Sequence, residues 1–220
     1  MHEPIGDRVR KNGFAFLPRH FPEKSTHDAA KEIGAVVQVL GLGEVQTLVP
    51  RTTEEATPNV YSGNYGMQAF PLHTDLAHWH IPPRYLALRC VVGTNAVSTV
   101  LLSGALVVAD VGERVLRRAL VMPRRPLGFQ RSLLRLYEER LGAWCLRWDD
   151  LFLVPASSAG ARACAAVRST LAASAREEVV LREPGDTLVL DNWRMLHGRS
   201  RVAPEFKKRR IERAYLGEVF

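Results

Sequence analysis

The stretch PLHTDLAHWH, residues 71–80, is the densest run of metal-ligating side-chain types in the chain. His73 and Asp75 are one residue apart. On a strand, positions i and i+2 share a face, so this imidazole and carboxylate can grip one ion. Two protein donors leave such an ion under-coordinated. His197, in DNWRMLHGRS after the apolar run TLVLDN, offers a third. Two imidazoles and one carboxylate on one side of an octahedron suit divalent iron and leave three positions open for other ligands.

An HxD pair alone is common, and one such pair is usually a surface turn or a satisfied core histidine. Its context gives it weight. A cluster of cations, Lys207, Lys208, Arg209 and Arg210, follows His197. A guanidinium there can pair with the far carboxylate of an iron-chelating cosubstrate. Arg213 stands four positions after Arg209, an even spacing that puts both on one face of a strand. Arg210 competes with Arg209 for the carboxylate role. His78 and His80 offer another arrangement, a four-ligand zinc site with His73 and Asp75. That arrangement leaves His197 unexplained, and Pro82 and Pro83 make the region a loop. Tyr61, Asn64 and Tyr65 lie in a loop that can reach a substrate, as does Gln46 on an early strand. Arg194 and Arg199 read as structural, paired with Asp191 or with backbone carbonyls.

HTD, DNWRMLHGRS and RRIERAYL together resemble the taurine dioxygenase-like family of Fe(II)/2-oxoglutarate-dependent oxygenases, which also contains clavaminate synthase. The resemblance covers roughly residues 60 to 220. It implies His73, Asp75 and His197 as iron ligands. It also implies Arg209 and Thr99 as partners of the distal carboxylate of 2-oxoglutarate, and O₂ as co-reactant. The expected activity is hydroxylation of a C–H bond with release of succinate and CO₂. Arg213 is then expected to meet an anionic group on a small substrate such as an amino acid or its derivative, with Asn64 and Tyr65 as further substrate contacts. The retained Asp75 points to an oxygenase, since halogenases of related folds replace that carboxylate with a small residue. Ser103 stands where relatives often carry an acidic residue shortly after the Thr.

The composition allows this chemistry and excludes much else. The chain has 220 residues, 46% hydrophobic and 24% charged, which fits a globular core rather than disorder. No uncharged apolar run is long enough to span a membrane, and MHEPIGDRVRKNG has no apolar stretch of a signal peptide. The three cysteines, Cys90, Cys145 and Cys164, form no CxxC pair. They read as thiols in a reducing, cytoplasmic setting. The net charge of +7 is scattered and carries no nucleic-acid signature, so a small anionic ligand accounts for it better than DNA or RNA.

The elements that must position these residues read as short strands with a few helices between them. GFAFLP, EVQTLVP, PRYLALRCVV, STVLLSG, TLVLDN and IERAYLGEVF are expected strands. RSLLRLYEER and AWCLRW are two more, around a turn at Leu141–Gly142. Helices are expected over THDAAKEIGAVVQ with Ser25 as cap, over Leu106 to Leu120, and over SSAGARACAAVRSTLAASAREE with Ser157 or Ser158 as cap. Pro184-Gly185-Asp186 makes a turn. No linker or repeat divides the chain. The expected architecture is a single domain over residues 1–220, mainly β with flanking helices, arranged as a double-stranded β-helix (a cupin-like jelly roll).

Overall fold

In the computed structural model, residues 3–125 and 132–220 are described. Arg131, the first residue of the expected strand RSLLRLYEER, lies outside them, as do the first two residues of the N-terminal segment. The chain begins with α1 (Ile5–Asn12), β1 (Phe14–Leu17), α2 (Thr26–Lys31), β2 (Gly34–Val36), β3 (Val45–Leu48), α3 (Ser62–Tyr65) and β4 (Phe70–His73). Two longer strands, β5 (Tyr85–Val92) and β6 (Ser98–Ser103), lead into α4 (Gly104–Val111) and α5 (Glu113–Arg118). Short strands follow: β7 (Leu120–Pro123), β8 (Leu134–Arg135), β9 (Tyr137–Arg140), β10 (Ala143–Leu146) and β11 (Leu153–Pro155). The longest helix, α6 (Ser158–Ala173), precedes β12 (Glu177–Val180), β13 (Thr187–Asp191), β14 (Met195–Arg199) and β15 (Arg210–Val219).

Among the described residues every strand pairing is antiparallel. The larger sheet runs β1-β13-β5-β15-β2, with β3 also on β15, and the second runs β12-β6-β14-β4. Side-chain alternation divides the apolar residues into layers. Leu86, Leu88, Leu188, Leu190, Ile211 and Tyr215 of the larger sheet pack with Leu101 and Met195 of the second. The opposite face of the larger sheet, through Ala87, Val189, Ala214 and Leu216, takes Val9 of α1 and Ala30 of α2. The outer face of the second sheet, through Leu72, Leu102 and Leu196, lies under Val107, Leu116, Ala163 and Val167 of α4, α5 and α6. The two sheets thus face each other across one interior, with helices on both outsides.

Several elements differ from the sequence expectation, each for a local reason. The helix expected over THDAAKEIGAVVQ is capped by Ser25, whose Oγ accepts from Asp28 N, but it stops at Lys31. The residues that follow pair with β15, where Val36 lies opposite Leu216. The helix expected from Leu106 to Leu120 is two helices, because Gly112 sits at φ 91°, a conformation favoured only for glycine. Ser103 caps the first of them, accepting from Ala105 N at 3.3 Å. The Ala-rich helix is capped by Ser157 and ends at Ala173. The last two residues of the expected helix, Glu177 and Glu178, instead open β12, which pairs with β6. β9 and β10 pair around Leu141–Gly142 as expected. TLVLDN and MLHGR form no hairpin: β13 belongs to the larger sheet and β14 to the second, and residues 192–194 cross between them.

Candidate metal centre

His73 is the last residue of β4, and β14 places His197 directly opposite it. Gly198 permits this approach, since a Cβ there would stand 2.6 Å from the Phe70 carbonyl oxygen. Asp75 is not on the strand, so the i, i+2 argument does not place it. It lies in the turn beyond β4, where Leu76 adopts φ 54°. Asn192, in the crossing between the sheets, fixes that turn. Its Oδ1 accepts from Asp75 N at 2.7 Å, and its Nδ2 donates to the carbonyls of Asp75 and Pro83 at 3.0 and 2.9 Å.

The result is a compact donor set. Asp75 Oδ1 lies 3.4 Å from His73 Nε2 and 3.5 Å from His197 Nε2. All three residues are buried. Adjacent ligands on an octahedral ion with ~2.1 Å bonds stand roughly 3 Å apart, so a single ion fits with little adjustment. His73 Nδ1 donates to the Pro71 carbonyl at 2.9 Å, which leaves Nε2 free as a donor to metal. His78 and His80 do not join the group: among the described residues the set is His73, Asp75 and His197. His78 instead lies against Phe152.

The second oxygen of Asp75 faces the larger sheet. Oδ2 accepts from Arg213 Nη1 at 2.7 Å and from the Tyr215 hydroxyl at 3.1 Å. Arg213 is itself braced by Gln46, whose Oε1 accepts from Nε at 3.1 Å. Burial alone would raise the Asp75 carboxyl, but Arg213 and the two histidines bring it well below the ordinary range. Burial lowers His73, yet Asp75 and then Asp149 outweigh it and raise the imidazole overall. His197 is lowered by burial and by His73. Two expectations change here. Gln46 serves Arg213, and Arg213 has a protein anion, so counting cations no longer argues for an anionic substrate.

Toward the other end of the interior, Thr99, Leu101, His197 and Arg199 share a face, because Thr99 pairs with Arg199 and Leu101 with His197. Arg209 is buried at 7% exposure, while Arg210 is exposed. Among the described residues Arg209 Nε has no hydrogen-bond partner. Burial lowers its pKa to about 10, and its charge in turn acts on Arg199. A buried guanidinium without a counter-charge is costly, and the carboxylate of a small dicarboxylic acid is a fitting complement. Arg199 is a brace: Nη2 donates to the carbonyls of Gly66 and Gln68 at 3.0 and 2.8 Å, and the guanidinium lies 3.7 Å from the Phe70 ring centroid. Arg194 holds Asp191 and the end of α1.

Of the loop residues, Tyr61 reaches the centre. Its ring stacks on His73 at 4.2 Å between centroids. Asn64 does not reach it, since its Nδ2 holds the loop through the carbonyls of Pro58 and Val60. Tyr65 stands behind Tyr61, 6.0 Å between rings. Sequence reasoning passed over three residues that shape the site. Tyr215 was findable, two positions from Arg213 and hence on its face. Asn192 stood within a motif already singled out. Arg147, described below, gave no signal.

No protein-family model and no curated protein matches the chain. Solved structures do. Asparagine oxygenase, solved with Fe(II), 2S,3S-3-hydroxyasparagine and succinate, superposes with a TM-score of 0.70 at 18% identity, covering 96% of this chain and 77% of that one. PvcB from Pseudomonas aeruginosa aligns at 0.65 and 21% identity, over 94% and 77% of the two chains. PvcB is described as an Fe, alpha-ketoglutarate dependent oxygenase from an isonitrile synthetic pathway. OrfP, a non-heme iron oxygenase solved with Fe, succinate and (3S)-hydroxy-L-Arg, aligns at 0.64 and 17%, over 96% and 77%. The fold is that of the iron- and 2-oxoglutarate-dependent oxygenases. In this chain the interior of that fold holds the His-Asp-His set and a buried Arg209 whose Nε has no hydrogen-bond partner among the described residues.

Proposed function

We propose that the chain is an Fe(II)/2-oxoglutarate-dependent dioxygenase that hydroxylates a C–H bond of an amino acid or an amino-acid derivative. One observation carries the reading: a buried His73–Asp75–His197 donor set shares an interior with buried Arg209, which pairs with no carboxylate among the described residues. The solved neighbours that hold hydroxyasparagine or hydroxyarginine with succinate support the substrate class. In this reading the protein is a single double-stranded β-helix domain. Its buried free thiols suit a reducing cytoplasm. Among the described residues no helix is long and apolar enough to cross a membrane.

His73 Nε2, Asp75 Oδ1 and His197 Nε2 would hold iron, leaving three positions for other ligands. When bound, iron with 2-oxoglutarate and O₂ supplies the oxidising chemistry, ending in succinate, CO₂ and a hydroxylated product. The protein's own groups fix geometry. Arg213 and Tyr215 occupy Asp75 Oδ2, so the carboxylate presents one oxygen to the ion. Arg209 would take the distal carboxylate of 2-oxoglutarate, with Thr99, on the face that carries His197, as its second partner. The wall of Tyr61, Phe152 and His78 bounds the side where a substrate would lie.

Anaerobic titration with Fe(II) and 2-oxoglutarate, followed by a screen of amino acids and derivatives for succinate release, tests this. Saturable binding of both and substrate-triggered succinate are expected. Metal binding without succinate from any compound would leave a non-catalytic cupin-like protein. Salt-sensitive nucleic-acid binding that survives loss of His73 would point to a different function.

A further inference from the structure

Arg147 lies just past β10 and is 1% exposed, one of the largest fully buried side chains among the described residues. A guanidinium has five N–H donors, and here each has an acceptor. Nε donates to Arg135 O at 2.9 Å. Nη1 donates to Ala77 O and Trp79 O, both at 2.7 Å. Nη2 donates to His80 O at 3.3 Å and to the half-buried carboxylate of Glu138. Three of these acceptors are carbonyls of the turn that begins at Asp75. Arg147 itself touches none of the three ligands.

The turn needs holding. Leu76, the residue after Asp75, sits at φ 54°, a left-handed conformation that a branched side chain adopts only where its surroundings impose it. Asn192 grips the turn at Asp75 from the crossing between the sheets. Arg147 grips the following residues, and Thr74 is tied to the residue beside it, Trp148: Thr74 N donates to the Trp148 carbonyl at 2.8 Å and Thr74 Oγ1 accepts from Trp148 N at 3.1 Å. We infer that Arg147 is a positioning residue for the metal centre, clamping the Ala77–His80 carbonyls so that Asp75 meets His73 and His197. This rests on the metal reading above. Supporting residues around metal ligands typically change affinity by ~10- to 100-fold when lost.

The test uses Mn(II) alone on the metal-free full chain, read as a dissociation constant well below the melting temperature. Arg147→Met, which keeps bulk but removes all five donors, should weaken Mn(II) about 10- to 100-fold. Arg147→Lys and Glu138→Gln should each weaken it by roughly threefold or more, because part of the clamp survives. Amide exchange over residues 75–80 should quicken in all three. Val167→Ala, a core truncation in α6, serves as the stability control and should lower the melting temperature with Mn(II) affinity unchanged. Wild-type-like affinity in Arg147→Met overturns the inference. If that variant does not fold, unchanged affinity in both Arg147→Lys and Glu138→Gln overturns it instead. A wild-type protein that takes up no Mn(II) overturns the metal reading itself, a result distinct from wild-type and variants binding equally well.

Discussion

Arg213 Nη1 stands 2.7 Å from Asp75 Oδ2, so the cation of the last strand is paired with a residue of the metal set. The pair divides the labour of one carboxylate: Oδ2 faces the arginine and Tyr215, while Oδ1 faces the two histidines. Losing Arg213 frees Oδ2 and removes the charge that keeps Asp75 ionised. Arg213→Gln is therefore expected to weaken Mn(II) binding about 10-fold or more, measured by titration of the metal-free protein. If Arg213 instead serves a substrate anion, the variant will keep its metal affinity and lose its preference among anionic and neutral substrates.

His73→Ala, Asp75→Ala and His197→Ala should each abolish turnover while leaving the fold intact. The three donors act on one ion, so removing any one leaves too few. Circular dichroism and succinate release together check this. An Asp75→Ala variant with near wild-type turnover would show that the carboxylate is not a ligand.

Arg209 and Arg210 are adjacent, and only Arg209 is buried. Arg209→Ala should weaken 2-oxoglutarate by about 30- to 1000-fold, the range for truncating one partner of a desolvated charge pair. Arg210→Ala should change it little. Among the described residues Arg209 has no counter-charge, which bears on stability as well. Arg209→Met should raise the melting temperature of the cosubstrate-free protein, because an unpaired buried cation is removed, and should erase the thermal shift that 2-oxoglutarate gives the wild type.

Asp149 supplies a pH test. Its Oδ1 accepts from the backbone of Leu151 and Phe152 at 2.9 Å each. Burial nevertheless raises its carboxyl above the ordinary 3.8. Above 3.8 the unfolded chain releases this proton before the folded chain does, so stability falls as pH rises through that window and the cost persists at neutral pH. Asp149→Asn keeps the acceptor and removes the cost. Melting scans should show the variant at least as stable as the wild type at pH 7, with the difference closing as pH falls below 3.8. A large loss of stability at pH 7 would show that the charge is needed where it is.

The sequence made some of this site legible and hid the rest, for physical reasons. HTD and MLHGR name ligand types that few other roles require together, and alternation in PRYLALRCVV and the apolar run of TLVLDN reveal two strands that the structure pairs in the larger sheet. Asp75 was assigned to a strand because spacing cannot show where pairing stops. Glu177 and Glu178 suit both the end of the Ala-rich helix and the start of REEVVL as a strand, and pairing with β6 decides for the strand. Arg147 was invisible: in AWCLRW it reads as the exposed member of an alternating pair, and only the turn's carbonyls, far off in sequence, make its burial tolerable. Asn64 and Tyr65 were chosen by proximity to HTD, while the ring that meets His73 is that of Tyr61.

The pairing of His197 with His73 also bears on how the protein assembles. Their strands lie more than half the chain apart, so pairing them closes a long loop. A slip of one residue in either strand would turn its histidine outward, toward the helix-covered face that Leu72 and Leu196 now occupy. An intermediate misregistered at this pairing does not bring all three donors together. Loading with metal therefore discriminates the native register from every neighbouring one, and an ion that binds only the finished arrangement pulls the whole folding equilibrium toward it.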